Sequence, residues 1–423
     1  MTRARGLALA LVVGACSWIP ATARAQYGPP NGYPAMMNGS PMAEGSMLPG
    51  DPQGMTAPPG GWYGDQQDYQ SEQAPARYSS EPLFNGGFIR AEYLHWNLPD
   101  PGTTLLGAAV NNIANPTDPF VVYFPGTSLP QAVTRIPTAQ SVKLADVNGI
   151  RTTVGLELFH GGTIEVGAFM LAKKQSGFEI DNFASTSVGS FPFFRNLPGT
   201  VGTSLLENGQ VSDTVLLYNQ SFSVTYASQV WGAEANYVID NDNGGLFHLN
   251  PTVGLRYFNI HETMNQRGVF QDTTLGGPEI VTTIGSSAYN NLYGGQFGAR
   301  LELVTKYFNL GLDPKLMLLG NSMFAQVDTN HLRSNNDPFT SSSDRVNRFS
   351  LGVDIGTYAT LNLRPNFSVR VGYNLIWLNR VTRPEDNIYY NNNGLSNPPA
   401  VGTNLTDHDF MVHGVSVGGE LRF

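Results

Sequence analysis

The sequence predicts an all-β protein, a transmembrane up-and-down antiparallel β-barrel of about ten strands (8–12) behind a disordered N-terminal tail. Three features predict it: strand-length segments in which apolar and charged residues alternate, connections that alternate between short and long, and a last segment that ends on Phe423. A barrel strand needs apolar residues only at every second position, on the side that faces lipid. The composition agrees, because 11% of the residues are aromatic while only 13% are charged.

The first 25 residues predict an export signal. Arg3 and Arg5 precede an apolar run at 6–19, and a small-residue cleavage site of the A-x-A type ends at Ala25. This order is typical of secretory signal peptides, which are removed from the mature protein. The only cysteine, Cys16, lies inside the run, where a loose likeness to a lipoprotein acylation box leaves lipidation as the minor alternative.

Residues 26–84 form a separate segment that is rich in Pro, Gly, Gln and Met. Such a composition buries too little apolar surface to offset the loss of chain entropy on folding, so we expect a disordered tail. Its simplest role is that of a spacer. Its Tyr and Trp residues leave open a tether to cell-wall material or to another surface partner.

Residues 85–423 predict the barrel itself, with four short turns and five long loops in strict alternation. Outer-membrane barrels combine an even strand number with short periplasmic turns and long extracellular loops. The alternation therefore predicts an outer-membrane protein with both ends of the mature chain in the periplasm. The predicted strands are 88–96, 150–159, 163–172, 221–239, 246–262, 292–304, 308–319, 349–361, 367–378 and 410–423.

Alternation and turn chemistry justify these strands in order. In the first strand Ile89, Ala91 and Tyr93 alternate with Arg90 and Glu92, and the later strands repeat the pattern. Gly, Asn and Asp between two such segments favour tight reversals of the chain. The short turns are predicted at 160–162, 240–245, 305–307 and 363–366.

Two segments fit a single membrane span poorly. The fourth strand, 221–239, is long, and its apolar phase shifts between the Phe222 end and the Trp231 end. This shift predicts either a bulge near Ser228 or an extension above the membrane. Pro314 removes a ladder hydrogen bond from the seventh strand and predicts a bulge or a split there.

The two faces of the strands have opposite characters. Charged side chains in mid-membrane are unfavourable unless they point inward, so the charged face should line the lumen. The predicted lipid-facing residues are Val154, Leu156, Leu158, Ile164, Val166, Ala168, Val253, Leu255, Ala299, Leu301, Val353, Ile355, Val369 and Val371. The predicted lumen-facing residues are Arg90, Glu92, Arg151, Glu157, Glu165, Glu234, Arg256, Arg300, Glu302, Asp354, Arg370, Glu420 and Arg422.

The lumen charges nearly cancel. With Lys315 and Asp313 added, the predicted lining holds 7 cations and 8 anions. Balanced charges in a small barrel most simply pair with one another, and a barrel of about eight strands is just filled by its side chains. The sequence therefore predicts a plugged or very narrow lumen.

The closing segment carries a predicted membrane-insertion signal. Val415, Val417, Gly419, Leu421 and Phe423 share one face of an extended strand, opposite a charged face. This ending resembles the C-terminal signal by which bacterial outer-membrane barrels are recognised for insertion. We therefore expect outer-membrane lipid and the barrel-assembly machinery as partners.

No motif predicts catalysis, a cofactor or a metal site. Gly-Val-Ser-Val-Gly at 414–418 has the spacing of a nucleophile elbow, but it lies in a predicted strand, where His413 and Ser416 are three residues apart and point to opposite faces. The seven His residues are scattered without metal-ligand spacing. His408 and His413 are interpreted as polar groups near the membrane surface. The turn at 240–245 superficially resembles a calcium loop, but Pro251 stands where the closing Glu belongs. A net charge of −9 gives no support to a nucleic-acid partner.

Five segments resemble a family of bacterial outer-membrane proteins, the seventh of the β-barrel porin families. The resemblance rests on the order of these short motifs along the chain. The family name implies a pore, while the resemblance implies no catalytic or ligand-binding residues. The segments are Gly-Gly-Phe-Ile-Arg-Ala-Glu-Tyr-Leu-His-Trp at 86–96, Trp-Gly-Ala-Glu-Ala-Asn-Tyr at 231–237, 253–258, 291–300 and 414–423.

Two functions are compatible with these observations. One is a narrow passive channel for small solutes, motivated by the charged interior. The alternative is a structural or adhesive surface protein with a plugged lumen and long extracellular loops such as 387–406. A soluble, secreted glycan-binding β-sandwich is a weaker third possibility.

Overall fold

The computed structural model describes the barrel part of the chain. The predicted signal peptide at 1–25, the tail up to residue 83, and the turn residues 160 and 242–244 lie outside the described residues. The described residues are 84–124, 126–158, 161–181, 183, 197–241, 245–272, 276–392 and 401–423.

These residues form seventeen β-strands and two single-turn 3₁₀ helices, Ala139–Ser141 and Pro384–Asp386, so the described chain is all-β as predicted. No helix in the described part is long and apolar enough to cross a membrane. The strands are β1 (Phe84–Asn97), β2 (Phe120–Tyr123), β3 (Pro130–Arg135), β4 (Val147–Leu158), β5 (Gly162–Leu171), β6 (Lys174–Ile180), β7 (Gly199–Ser204), β8 (Val215–Tyr218), β9 (Ser221–Val238), β10 (Phe247–Phe270), β11 (Ile280–Val304), β12 (Phe308–Asn330), β13 (Thr340–Arg364), β14 (Phe367–Val381), β15 (Ile388–Tyr389), β16 (Gly402–Thr403) and β17 (His408–Arg422).

Ten of these strands close into one antiparallel barrel, in the order β1, β4, β5, β9, β10, β11, β12, β13, β14 and β17. β17 returns to β1 through an unbroken register that runs from Phe88 opposite Arg422 to Asn97 opposite His413. Closure pairs the edges that an open sheet would expose. The predicted ten-stranded antiparallel barrel is confirmed.

Four strands are much longer than predicted. β10 to β13 contain 24, 25, 23 and 25 residues, whereas about 9–11 residues of a tilted strand cross a bilayer. Beyond the membrane the outer face turns polar, as at Asn259 and His261, while the inner face carries buried Phe258 and Ile260. The predicted segments were too short because the apolar positions move from the outer face to the inner face beyond the membrane. These segments are 246–262, 292–304, 308–319 and 349–361.

β9 explains the phase shift seen in the sequence. Its register with β10 is continuous from Ser221 to Val238, so β9 itself has no bulge and extends above the membrane. The irregularity lies in the facing strands, because β6 pairs with β9 one residue out of step with β5. Phe222 points into the barrel and is fully buried, whereas Trp231 lies on the outer face.

Pro314 neither bulges nor splits its strand, contrary to the prediction. β12 stays in register with β13, where Pro314 lies opposite Ile355. β12 also keeps one register with β11 on both sides of Pro314, and only the pairings of Asp313 and Pro314 are missing. Proline lacks a backbone N–H, and the long ladders on either side tolerate this local loss.

The long loops contain structure that the sequence did not predict. The connections after β1 and β5 form a small sheet of β2, β3, β7 and β8, in which β3 and β7 are parallel. The connection before β17 contains the short pair β15 and β16. These strands are too short to show the alternation that marks a barrel strand.

The largest hydrophobic cluster lies inside the barrel at its long-loop end. It joins inward side chains of every barrel strand except β13, among them Trp96, Phe169 and Phe258, to loop residues such as Leu106 and Leu205. Fully burying a large apolar side chain contributes about 1.5–3 kcal/mol. We call this feature the plug, defined as loop residues 98–124, 126–146, 197–220 and 382–392 with the inward side chains that they cover.

Candidate functional site

The interior of the barrel below the plug is the candidate functional site. The structure places all thirteen residues of the predicted lumen set on inward strand positions. Twelve of them are buried or half-buried. The exception, Arg422, lies at the short-turn mouth with 56% of its side chain exposed.

One ion cluster is centred on Glu234 of β9. Its carboxylate accepts from the Arg256 guanidinium at 2.5 Å and from the Lys315 ammonium at 3.3 Å. Arg256 also lies 3.1 Å from Asp354, and Lys315 lies 3.4 Å from Asp313. These residues come from four strands of the barrel wall, β9, β10, β12 and β13, so the cluster bridges the interior instead of following one strand pair.

Two further clusters complete the lining. Arg300 of β11 makes a two-pronged ion pair with Glu165 of β5, both contacts at 2.8 Å. Arg151 of β4 donates to Glu92 of β1 at 2.6 and 3.1 Å, and it also reaches Asn374 of β14. β5 and β11 are not neighbours in the wall, and neither are β4 and β14, so these contacts span the lumen.

The mouth at the short-turn end holds the remaining charges. Arg90 donates to Glu420 at 2.6 Å, and Arg422 donates to the other oxygen of that carboxylate at 2.9 Å. The Glu302 carboxylate accepts from the Tyr358 hydroxyl at 2.5 Å. Glu157 makes no ion pair with any described residue.

Aromatic contacts hold Arg370 in the same region. Its guanidinium lies 3.4 Å from the centre of the Tyr358 ring and 3.9 Å from the Glu92 carboxylate. A cation over an aromatic face is attracted by the negative face of the ring. Arg370 therefore packs along the wall instead of reaching into open space.

The space left between these side chains is small. A cavity of about 10 Å³ is bordered by Arg151, Glu234 and Arg256 and, on the plug side, by Trp96 and Phe169. A volume of about 10–15 Å³ on this measure accommodates about one water molecule. The charged groups around this cavity thus leave room for about one water molecule.

A second charged centre lies inside the plug, where sequence reasoning placed no site. Arg383 follows β14 and is 5% exposed, while its partners Glu262 and Glu385 are 0% and 3% exposed. Arg383 donates to Glu262 at 2.9 Å and lies 3.2 Å from Glu385. A buried ion pair persists only when further hydrogen bonds satisfy its remaining donors and acceptors.

Arg383 also ties separate loops together. Its guanidinium donates to the backbone carbonyls of Pro99 and Asp100 at 3.0 Å each. It donates as well to the Tyr226 hydroxyl at 3.0 Å, and that hydroxyl donates to Glu385 at 2.9 Å. The loop after β1, the loop after β14 and the strands β9 and β10 thus meet at one guanidinium.

The plug should loosen as the pH rises. The pKa of Glu385 is raised to about 7, because burial and the charges of Glu262 and Asp386 outweigh the opposing effect of Arg383. The unfolded value is the ordinary 4.5, so the folded state binds the proton more tightly and stability falls between about pH 4.5 and 7. We expect the plug to lose about 3 kcal/mol at most between pH 5 and pH 8, seen as a lower near-UV circular dichroism melting temperature.

Glu385→Gln provides the control for this pH dependence. The amide has the same size but does not ionise, so its melting temperature should change much less between pH 5 and pH 8. An unchanged pH dependence in this variant would show that another group is responsible.

The predicted insertion-signal residues lie on β17, between β14 and β1, except Phe423, which directly follows that strand. Val415, Val417, Leu421 and Phe423 are 44–54% exposed on the outer face. Gly419 alternates in step with these residues and therefore lies on the same face of the strand. Of the two histidines nearby, His408 lies 3.4 Å from Asp386, and His413 is hydrogen-bonded to the Tyr373 hydroxyl at 2.9 Å.

Comparison with known proteins supplies a family and two distant structural likenesses. The family model described as Putative beta barrel porin-7 (BBP7) matches residues 88–423. No curated protein sequence matches the chain. The outer membrane protease OmpT of Escherichia coli is 10% identical over 80% of this chain and 97% of its own, with a TM-score of 0.42. An anion-selective porin from Comamonas acidovorans is 9% identical over 80% of this chain and 100% of its own, with a TM-score of 0.12.

Proposed function

The chain belongs to the BBP7 family of outer-membrane β-barrels, and from that premise we propose that it is a structural surface protein whose barrel is held closed. In this proposal the barrel is an anchor in outer-membrane lipid, inserted by the barrel-assembly machinery through its last strand. The short turns and both ends of the mature chain face the periplasm, and the plug forms a platform on the cell surface. The proposal involves no catalysis and no cofactor.

The observation that carries the proposal is the double closure of the lumen. Ion pairs such as Arg300 with Glu165 cross the barrel between strands that are not neighbours. Above them, apolar side chains from nine barrel strands pack against the loops. A hydrated ion that entered this path would have to separate buried ion pairs and then cross an apolar layer, and both steps are strongly unfavourable.

The surface end offers a contact point. Tyr123, Phe124 and Leu129 at the tip of the β2–β3 hairpin are 51%, 47% and 63% exposed. The hairpin is closed by the Phe124 N–H, which donates to the Leu129 carbonyl at 2.9 Å. Exposed aromatic and aliphatic side chains on a preformed turn favour contact with another surface.

Conductance of the purified protein in planar lipid bilayers tests closure. We expect the wild-type protein to give no discrete current steps at loads at which an open porin conducts. A variant in which residues 100–144 are replaced by a short Gly/Ser linker removes part of the plug and should show larger or more frequent steps. Heat-dependent gel mobility should confirm that both barrels are folded.

A narrow passive channel for small solutes is the second candidate, favoured by the charged lining and the family's porin name. It predicts steady, small conductance steps from the wild-type protein. Such steps would reject the closed anchor. The structural role predicts a different result for the triple variant Tyr123→Ser, Phe124→Ser and Leu129→Ser. This variant should reduce attachment of the cells to a surface, while the purified protein still gives no current steps in bilayers.

A further inference from the structure

A pocket at the short-turn end of the barrel is not used by the proposed anchor function. It has a volume of about 340 Å³ and lies between the β11–β12 turn and the β13–β14 turn. Small-molecule sites in proteins typically enclose about 300–1,000 Å³. The pocket is thus large enough for the head of a bound molecule.

Backbone hydrogen bonds fix the two turns that form its walls. The Asn362 N–H donates to the Tyr307 carbonyl at 2.9 Å, which ties the first turn to β13. The Arg422 N–H donates to the Asn366 carbonyl at 3.0 Å, which ties the second turn to β17. The β13–β14 register also shifts at Asn362–Arg364, and such an irregularity redirects side chains at the rim of a barrel.

The polar side of the pocket is cationic. Lys306, Arg364 and Arg422 line it, and its lining includes no carboxylate. Arg422 is paired with Glu420, whereas Lys306 and Arg364 make no ion pair with any described residue. The Lys306 ammonium lies 5.3 Å from the centre of the Tyr307 ring, which holds it at the pocket. The pocket therefore favours an anion.

The other side of the pocket is apolar and continues into the lipid-facing surface. Leu363 and Phe367 belong to the lining, and Leu363 is 54% exposed on the outer face of β13. Leu421 on β17 and Phe423 directly after that strand are 54% and 50% exposed. A ligand at this site thus meets cations at one end and a hydrocarbon-compatible surface at the other.

We infer that this pocket binds the phosphate group of an anionic phospholipid from the membrane leaflet at the short-turn end. Guanidinium and ammonium groups pair strongly with phosphate oxygens. Basic pockets at membrane surfaces recognise anionic lipid headgroups. The acyl chains of the lipid would lie along Leu363, Phe367 and Leu421. A free phosphate has no acyl chains and cannot make these contacts.

Native mass spectrometry of the full-length protein, released from micelles that contain one defined phospholipid, tests this inference. The wild-type protein should retain phosphatidylglycerol in preference to phosphatidylcholine. The variant Lys306→Gln/Arg364→Gln should bind phosphatidylglycerol about 30-fold more weakly, which corresponds to about 2 kcal/mol for the two cations. Inorganic phosphate at a matched concentration should not displace the lipid.

The matched control is Arg267→Gln/Arg345→Gln, which removes two exposed cations from the opposite end of the barrel wall. It should retain the lipid as the wild type does. The single variant Lys306→Gln alters only a turn, and it should weaken binding about 5-fold even if the double variant folds poorly. Unchanged retention by the pocket variants, equal loss in the control, or displacement by inorganic phosphate would each overturn the inference.

Discussion

Arg383→Met is expected to destabilise the plug by about 3–5 kcal/mol while the barrel remains folded. The substitution leaves the carboxylates of Glu262 and Glu385 without their cation in a region where both are at most 3% exposed. It also releases the carbonyls of Pro99 and Asp100, which loosens the loop after β1. Hydrogen exchange of residues 98–146 should accelerate at least about 100-fold if exchange occurs through plug opening.

Two further variants decide whether this loss arises from the unpaired charges. Arg383→Met/Glu262→Gln/Glu385→Gln removes the whole charged centre, and replacing a buried ion group by neutral residues is often close to neutral. It should therefore recover more than half of the lost protection. Arg135→Met, which removes an exposed arginine at the end of β3, should change stability by less than about 0.5 kcal/mol. Normal protection in the single variant, or no recovery in the triple variant, would contradict the role assigned to Arg383.

The strands that cross the membrane were predictable because two solvents impose the alternation. Lipid outside and paired ions inside require opposite side chains at successive positions, as at Leu255 and Arg256. Sequence alone also predicted about ten strands (8–12) and the alternation of short and long connections. This information is local, and a single sequence contains it.

The strand segments beyond the membrane were harder to predict because the surroundings of the outer face and of the inner face both change there. Above the membrane water replaces lipid outside and the plug replaces ions inside, so Asn259 faces outward while Phe258 and Ile260 are buried. Polar and apolar residues still alternate, but the apolar residues now lie on the inner face. In β9 this reversal left two alternatives, a bulge near Ser228 or an extension of the strand, and the continuous register selects the extension.

The partners of the charged residues could not be predicted at all. Arg300 pairs with Glu165 from 135 positions away, across strands that meet only because the barrel closes. Arg383 lies in a loop, where an exposed charge is the usual expectation. Its one local signal is the charged run Arg383-Pro-Glu-Asp386 within an otherwise sparsely charged connection.

Arg256→Met tests the ion cluster below the plug and is expected to lower the free energy of barrel unfolding by about 3–5 kcal/mol. The substitution removes the ion-pair partner of Asp354 and leaves Glu234 with Lys315 as its cation among the described residues. Arg256 is 6% exposed, so bulk water cannot replace it. Urea-induced unfolding in lipid vesicles measures the loss, and 1 M salt should reduce it little because buried charges are weakly screened.

The rescue variant is Arg256→Met/Asp354→Asn, which removes the carboxylate that lies 3.1 Å from the Arg256 guanidinium. It should recover a large part of the lost stability, since one cation is then removed together with one anion. Arg422→Met at the exposed mouth is the matched control, because Glu420 keeps its contact with Arg90 at 2.6 Å. Its effect should stay below about 1 kcal/mol. If Arg256→Met and Arg422→Met were equally mild, ion pairing across the lumen would not be what closes this barrel, and the plug alone would have to do so.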